Sequence, residues 1–253
     1  MSSTSLRPRS LAAILGWWAE ELGVNEPELS AHADGVTLSP SVNVPGIFLF
    51  RRGGDLRIGA PMHQVNAIHD ALIGHPIAKF MKPKFWRKKL PDFCGIGVGP
   101  ALLHYLDAAP KSWDKPTPRG FLVRGLAPMD ARAVADFAEA LTPTEREHSG
   151  VEISSRGLWG VFEGRNLVAI ASSDPWPNRL AHVGVAVHPE RRGRKLAQLV
   201  VQAAARGSIA RRRIVQYRTL ATNSASVGVA RALGMEVFAE TLYVRPVVEK
   251  PTA

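Results

Sequence analysis

Val183-Gly-Val-Ala-Val-His-Pro-Glu-Arg-Arg-Gly-Arg-Lys-Leu-Ala197 is the stretch whose reading decides the fold. Val183 to Val187 is a short apolar run suited to a buried strand, and Pro189, which cannot donate to a ladder, ends it. Arg191, Arg192, Arg194 and Lys195 then surround Gly193. Beyond them Leu196, Leu199, Val200 and Ala203 recur at helical spacing and predict a helix seated on a sheet by that stripe. The first N–H groups of a helix have no internal partner and lie at the positive end of its dipole. A cationic, glycine-containing loop at that point is therefore suited to an anion, and a pyrophosphate is the expected one. No G-x-G-x-x-G follows a strand and no G-x-x-x-x-G-K-[ST] occurs, so dinucleotide and P-loop folds are disfavoured.

Val187-x-Pro189-x-x-Arg192-Gly193-x-x-Leu196-Ala197 resembles the acetyl-CoA signature of the GNAT superfamily of N-acetyltransferases. A second block, Asn223-x-x-Ser226-x-x-x-Ala230-x-x-Leu233-Gly234-Met235, is similar to the family's later helix. The resemblance covers about residues 119–247. It implies an α/β fold, a mixed sheet with helices on its faces, and acetyl transfer from acetyl-CoA by direct attack of an amine, with no metal. By the same resemblance Val185, Ala186 and Val187 would line the pantetheine arm. Arg191, Arg192, Gly193, Arg194, Lys195, Leu196 and Ala197 would surround the pyrophosphate, with Asn223 and Ser226 contributing to the cofactor site.

The chain departs from the family pattern at three places. Lys195 stands where a small glycine is usual. Ala230 stands where many relatives carry a tyrosine that protonates the leaving thiolate, which leaves Ser226, Tyr217, Tyr243 or a water as donors. Ala181 stands where an acidic base is common, and the adjacent His182 has the ordinary pKa to accept an amine proton near neutrality, directly or through water. A histidine in a strand is also read as a packed, hydrogen-bonded residue, and both readings of His182 stay open here.

The 253 residues carry a net charge of +10, are 45% hydrophobic and have a mean hydropathy of −0.04, enough for a full core. Residues 191–218 hold nine Lys/Arg and no Asp/Glu, so the excess charge gathers in and after the loop. Nucleic acid could be its partner, through Arg211 to Arg213 and the basic, aromatic-interleaved run Lys79 to Lys89. No nucleic-acid module is recognisable, and CoA itself carries the phosphates, so that reading is the weaker one. Cys94 is the single cysteine, which excludes an internal disulfide and a cysteine zinc site and points to a reducing, cytoplasmic setting. Arg7 to Ala19 has a basic flank and a short apolar run, but Glu20 and Glu21 follow without a cleavage motif. It reads as an amphipathic first helix, not a signal peptide, and no stretch is long enough to cross a bilayer.

Two segments are expected. Residues 1–110 form an N-terminal α+β subdomain, similar to the degenerate GNAT-like half of some bacterial two-part members, and 119–247 form the acetyltransferase domain. The Pro-rich residues 110–119 are read as the linker. In the first segment the expectations are a helix over 8–22, a hairpin of 47–50 and 55–59 around two glycines, and a helix over 61–72. Gly95 to Pro100 is read as a strand-to-helix turn leading into a helix at 101–106, a packing turn and not a phosphate site. In the second the order is strand 121–126, helices from Pro128 and Thr142, a hairpin of 158–162 and 166–171, the signature strand, helix 193–206, strand 214–220, helix 223–233 and strand 236–244.

A small-molecule amine is the expected acceptor, by analogy with bacterial members; no membrane partner is expected, and a homodimer is left open. Asp174 to Pro177, Trp159, Trp176 and Phe162 are candidates to line its pocket, although aromatic residues serve equally as core. A non-catalytic acyl-CoA-binding module is the alternative, motivated by Ala230.

Overall fold

The computed structural model describes residues 6–30, 34–114, 116–151, 153 and 157–247. Along the chain run α1 (Pro8–Leu22), α2 (Glu26–Ser30), β1 (Gly35–Pro40), β2 (Ile47–Arg52), β3 (Asp55–Ala60), α3 (Val65–Leu72), α4 (Ile77–Phe80), α5 (Pro83–Lys89) and β4 (Cys94–Leu106). Then follow β5 (Phe121–Gly125), α6 (Ala131–Glu139), α7 (Pro143–Ser149), β6 (Trp159–Glu163), β7 (Asn166–Pro175), β8 (Leu180–Val187), α8 (Leu196–Ala210), β9 (Ile214–Leu220), α9 (Ser224–Ala232) and β10 (Val237–Pro246). Contacts divide the chain into two compact units. Among the described residues one holds His104–Arg218 and Gly228–Glu236 with Leu6 and Arg7; the other holds Pro8–Leu103, Thr219–Val227 and 237–247.

In the unit built on Pro8–Leu103, β2 and β3 form the expected hairpin, with Gly53 at φ 62° in its turn. β10 pairs antiparallel with β2, and β1 pairs parallel with β3. Ile47, Leu49, Leu56, Ile58, Phe80 and Trp86 make its core. Phe80 and Trp86 are 1% and 0% exposed, so these two aromatics of the basic run 79–89 are packing residues, not bases' stacking platforms.

The expected turn and helix over 95–106 are corrected: β4 is one strand from Cys94 to Leu106. Its glycines answer a need for space. A Cβ at Gly99 would lie 2.8 Å from Thr241 O, one at Gly95 3.1 Å from Pro246 O, and one at Gly97 2.5 Å from the Pro83 side chain. A short apolar run such as Ala101 to Leu106 fits strand or helix equally by pattern, and β10, more than a hundred residues away, settles it.

In the other unit the sheet order is β5-β6-β7-β8-β9, antiparallel up to β8 and parallel from β8 to β9, with α8 joining the last two. α8 buries Leu196, Val200, Val201, Ala204, Ala205 and Ser208, a stripe turned from the expected one, with Leu199 only partly covered. Val134 and Phe137 of α6 pack on Phe162, Ile170 and Ala186 at the opposite face. The expected linker is corrected in part: Trp113 is 3% exposed, its indole donates to Leu233 O at 3.1 Å, and Gln202 Nε2 donates to its carbonyl at 2.8 Å. These bonds make Trp113 part of this unit's core.

α7 begins with Thr142 and Glu145 in a reciprocal cap, and ends at Gly150 with φ 62°. That end presses on β8. A Cβ at Gly184 would lie 1.9 Å from Gly150 O and 2.6 Å from Val151 N, both backbone atoms that cannot swing aside. Gly184→Ala is expected to lower stability by about 3 kcal/mol, on the order of 6–12 °C in Tm. A calorimetric scan within 2 °C of wild type, or roughly a quarter of that shift, would contradict this packing.

Candidate functional site

The parallel ladder of β8 and β9 stops at His182↔Gln216, although β8 continues to Val187 and β9 to Leu220. Two hydrogen bonds show which way β8 presents its peptide groups. His188 N donates to Val168 O on the β7 side at 3.0 Å, and Arg179 O accepts from Ile214 N on the β9 side at 2.8 Å. The β7–β8 register runs unbroken from Ala181 to Val187, so strand alternation turns the odd-numbered peptide groups toward β9. The N–H groups of Val185 and Val187 thus face a gap where the strand partner has left. Ala186 turns its peptide to β7 and its side chain to the α6 face.

The gap leads to the start of α8. Gly193 has φ 78°, and a Cβ placed there would meet nothing within 4 Å, so the backbone is open to approach. Lys195, the N-cap, adopts φ 61° and ψ 17°, the left-handed region that a glycine occupies without cost. The position usual for glycine in the family keeps the glycine conformation. Leu196 and Ala197 open the helix, and Gln198 N and Leu199 N turn back to Lys195 O.

The loop's side-chain charge is largely compensated. Arg191 Nε and Arg194 Nη1 each bond Glu163 at 2.8 Å, and Arg192 Nη2 bonds Glu145 at 2.6 Å. Glu145 is held down at about 2, first by the Thr142 N–H and then by Arg192, and Glu163 is lowered by its two arginines. Among the described residues Lys195 is the loop cation with no ion pair, so an anion here would meet backbone N–H groups and one unpaired ammonium. Lys195→Gly removes left-handed strain of about 1–2 kcal/mol and adds chain entropy of about 0.5–1 kcal/mol to the unfolded state. The expected unliganded stability is equal or up to about 1 kcal/mol higher, read by thermal unfolding. A clear loss would mean that the ammonium holds the loop together.

Sequence reading set His182 apart, and the structure gives it neighbours. Its Nδ1 lies 3.1 Å from Gln216 Oε1, and Gln216 Nε2 donates to the Tyr105 hydroxyl at 2.7 Å. Because the amide N–H₂ is turned to Tyr105, its oxygen is what meets the imidazole, so Nδ1 carries the proton and Nε2 keeps the lone pair. Nε2 faces Gly150, lying 3.6 Å from where a Cβ of that residue would stand. Trp176 stacks on the imidazole at 4.9 Å and 14°. Asp174 is its register partner on β7 and accepts from Ser172 Oγ at 2.8 Å. Burial lowers the His182 pKa, with Arg218 acting in the same sense and Gln216 and Asp174 against it. A lowered pKa keeps the ring neutral near pH 7, the form that can take a proton.

The other expected residues fall elsewhere. Tyr217 is 3% exposed in the cluster around α8, the face away from Gln216. Ala181 and Ala230 are both fully buried. Asn223 Oδ1 accepts from Ser226 N at 3.1 Å and caps α9; both belong to the unit of Thr219–Val227, and Tyr243 lies on β10 of that unit. Trp159 packs against the α8 cluster and Phe162 lies under the Arg124 guanidinium, so of the aromatic candidates Trp176 is the one beside His182. Gln216, Tyr105 and Arg218 were not singled out from sequence. A signal was present: Gln216 and Arg218 are polar residues two apart in the apolar strand Ile214 to Leu220.

The parted β8–β9 pair thus leads to the open start of α8, on an α/β domain. Residues 128–235 match the family model described as Acetyltransferase (GNAT) family, which supports a GNAT-type α/β fold for that segment. Among solved structures the chain is similar to a GNAT-family acetyltransferase from Novosphingobium aromaticivorans, at 22% identity over 62% of this chain and 69% of that one, TM-score 0.44. It is also similar to one from Colwellia psychrerythraea, at 14% identity over 64% of this chain and 61% of that one, TM-score 0.47. No curated protein matches the chain significantly. Among the described residues no helix is long and apolar enough to cross a membrane, and no group of His, Cys, Asp and Glu could hold a metal ion.

Proposed function

We propose that this protein transfers an acetyl group from acetyl-CoA to the amine of a small molecule, in the cytoplasm. The observation that carries the reading is the end of the β8–β9 ladder at His182↔Gln216, directly before the open Gly193 turn. A rod-like ligand with a pyrophosphate at one end fits that sequence of features. The Val185 and Val187 N–H groups would hold the pantetheine arm, and the backbone from Gly193 to Ala197, with Lys195, would hold the pyrophosphate.

When bound, acetyl-CoA supplies a thioester carbonyl carbon open to attack. The protein's part is to position the amine, hold the carbonyl oxygen by a β8 N–H, and take up a proton. His182 Nε2 is the acceptor for that proton, directly or through water, and Gln216 holds the ring in the tautomer that leaves Nε2 free. A water then protonates the thiolate, since Tyr217 is buried on the α8 side of β9; Tyr217→Phe is expected to leave kcat unchanged.

Isothermal titration with CoA tests the cofactor reading, since no saturable heat would end it. Thiol release across an amine panel tests turnover. The fully buried Ala230, at the position where relatives carry a tyrosine, favours a second reading, a module that binds acyl-CoA without transfer. CoA binding with no amine-dependent release would establish that one.

A further inference from the structure

Arg218 is the unexplained charge of the acceptor face. It lies two residues beyond Gln216 on β9, so its side chain leaves the same face as Gln216, past the point where β8 and β9 part. Four other strand arginines are matched, and Arg245 of β10 is exposed to solvent. Arg57 bonds Asp55 at 2.9 Å, Arg124 forks onto Asp130 at 2.7 and 2.6 Å, Arg51 bonds Glu240, and Arg52 rests on the Phe238 ring at 4.5 Å. Among the described residues Arg218 makes no hydrogen bond, ion pair or ring contact, yet it is half-buried; desolvation lowers its pKa, and the nearby Tyr105 acts against that without reversing it. A guanidinium taken from water without a partner is costly, and such an exception asks for a ligand.

The order across the three strands says which ligand. Asp174 on β7 pairs in register with His182 on β8, and His182 pairs with Gln216 on β9, followed by Arg218. An anion, a neutral base and a cation thus lie in sequence on one face, complementary to a molecule with an ammonium at one end and a carboxylate at the other. A polyamine would meet Arg218 with like charge.

We propose that Arg218 anchors a carboxylate of the acceptor, so that the amine acetylated belongs to a small amino acid whose amino group is presented to His182. The inference rests on the acetyltransferase reading above and adds the substrate class. The planar fork of arginine matches a carboxylate with two parallel hydrogen bonds, which lysine cannot reproduce.

The test is thiol release from acetyl-CoA with a panel of the common L-amino acids, ω-amino acids and their carboxamides, with a melting shift of the CoA-loaded protein as the binding readout. At least one amino acid is expected to be acetylated, and its carboxamide to be worse in kcat/KM by about 100-fold, chiefly in KM, from the loss of two charged hydrogen bonds. Arg218→Gln should shrink that gap below about threefold while CoA affinity stays at the wild-type value, and Arg218→Lys should restore part of it. Arg218→Met should melt at or above wild type without ligand, because it removes a buried charge that has no partner. Carboxamides or simple alkylamines used as well as the acids would overturn the proposal. So would a preference that survives Arg218→Gln with weakened CoA binding, which would give the arginine to the cofactor. A panel with neither turnover nor melting shift in a protein that binds CoA overturns the amino-acid assignment alone, whereas absence of CoA binding removes the acetyltransferase reading and this one together.

Discussion

Gly193→Glu is expected to abolish CoA binding. Gly193 is at φ 78° with no atom within 4 Å of a would-be Cβ, so the new side chain would fill space that the pyrophosphate is proposed to occupy. Its carboxylate would oppose phosphate charge at short range, where attraction turns to repulsion of similar size. Ligand at 100 times its Kd stabilises a native state by about 2.7 kcal/mol, and in this variant that gain should vanish. The left-handed backbone alone costs a glutamate about 1–2 kcal/mol, so Gly193→Asn is the control. Asparagine tolerates that conformation and brings no charge, and most of the CoA-dependent shift should remain. A Gly193→Glu protein whose melting still rises with CoA at the wild-type concentration dependence would place the cofactor elsewhere.

The loop that this prediction uses was legible because its signals are local. Pro189 ends β8, Gly193 supplies a left-handed residue, and apolar spacing announces α8; each needs only near neighbours in sequence. What was lost depended on distant partners. Ala101 to Leu106 has an apolar pattern that a helix or a strand could use, and β4 is a strand because Thr241 and Pro246 of β10 lie against its glycines. The buried face of α8 keeps Leu196 and Val200 of the expected stripe but takes Val201, Ala204, Ala205 and Ser208 in place of Leu199 and Ala203, because small residues allow close packing that spacing alone does not reveal. Lys195 stands where a glycine is usual, yet its backbone takes φ 61° as glycine would. Sequence carries the identity of a side chain there and not its dihedral angle.

The loop charges and the acceptor face illustrate a different limit. Four cations in five residues suggest an anion site by composition, but Glu163 and Glu145, which engage three of them, come from β6 and α7. Net charge over a window cannot register partners folded in from outside it. His182 was visible as a candidate because it stands beside Ala181, yet its chemistry depends on Gln216 and Tyr105, which reach it across the sheet. A glutamine in a strand has no signature of its own until its amide is seen between a ring nitrogen and a phenol.

His182→Gln is expected to lower kcat by about 10²–10⁴-fold, the usual contribution of a general base, with KM for acetyl-CoA little changed. The pH dependence gives the sharper reading. Burial lowers the His182 pKa from its ordinary 6.5, so kcat/KM should rise with pH along an acid limb centred below 6.5 and be level at neutrality. The groups acting on that limb are Arg218, which lowers it, and Asp174, which raises it, with Gln216 raising it by hydrogen bond. Gln216→Glu replaces an amide oxygen by a carboxylate at 3.1 Å from Nδ1, which favours the imidazolium, and the limb should move to higher pH. Stability should follow the same group. Between the lowered folded pKa and 6.5 the unfolded chain binds more protons than the native one, so stability falls as pH drops through 6.5 and levels off below the folded pKa. His182→Gln should remove that slope together with the acid limb. A limb that persists in His182→Gln at an unchanged position would assign the proton acceptor to another group, and the Gln216–Tyr105 chain would then be a packing feature of the sheet.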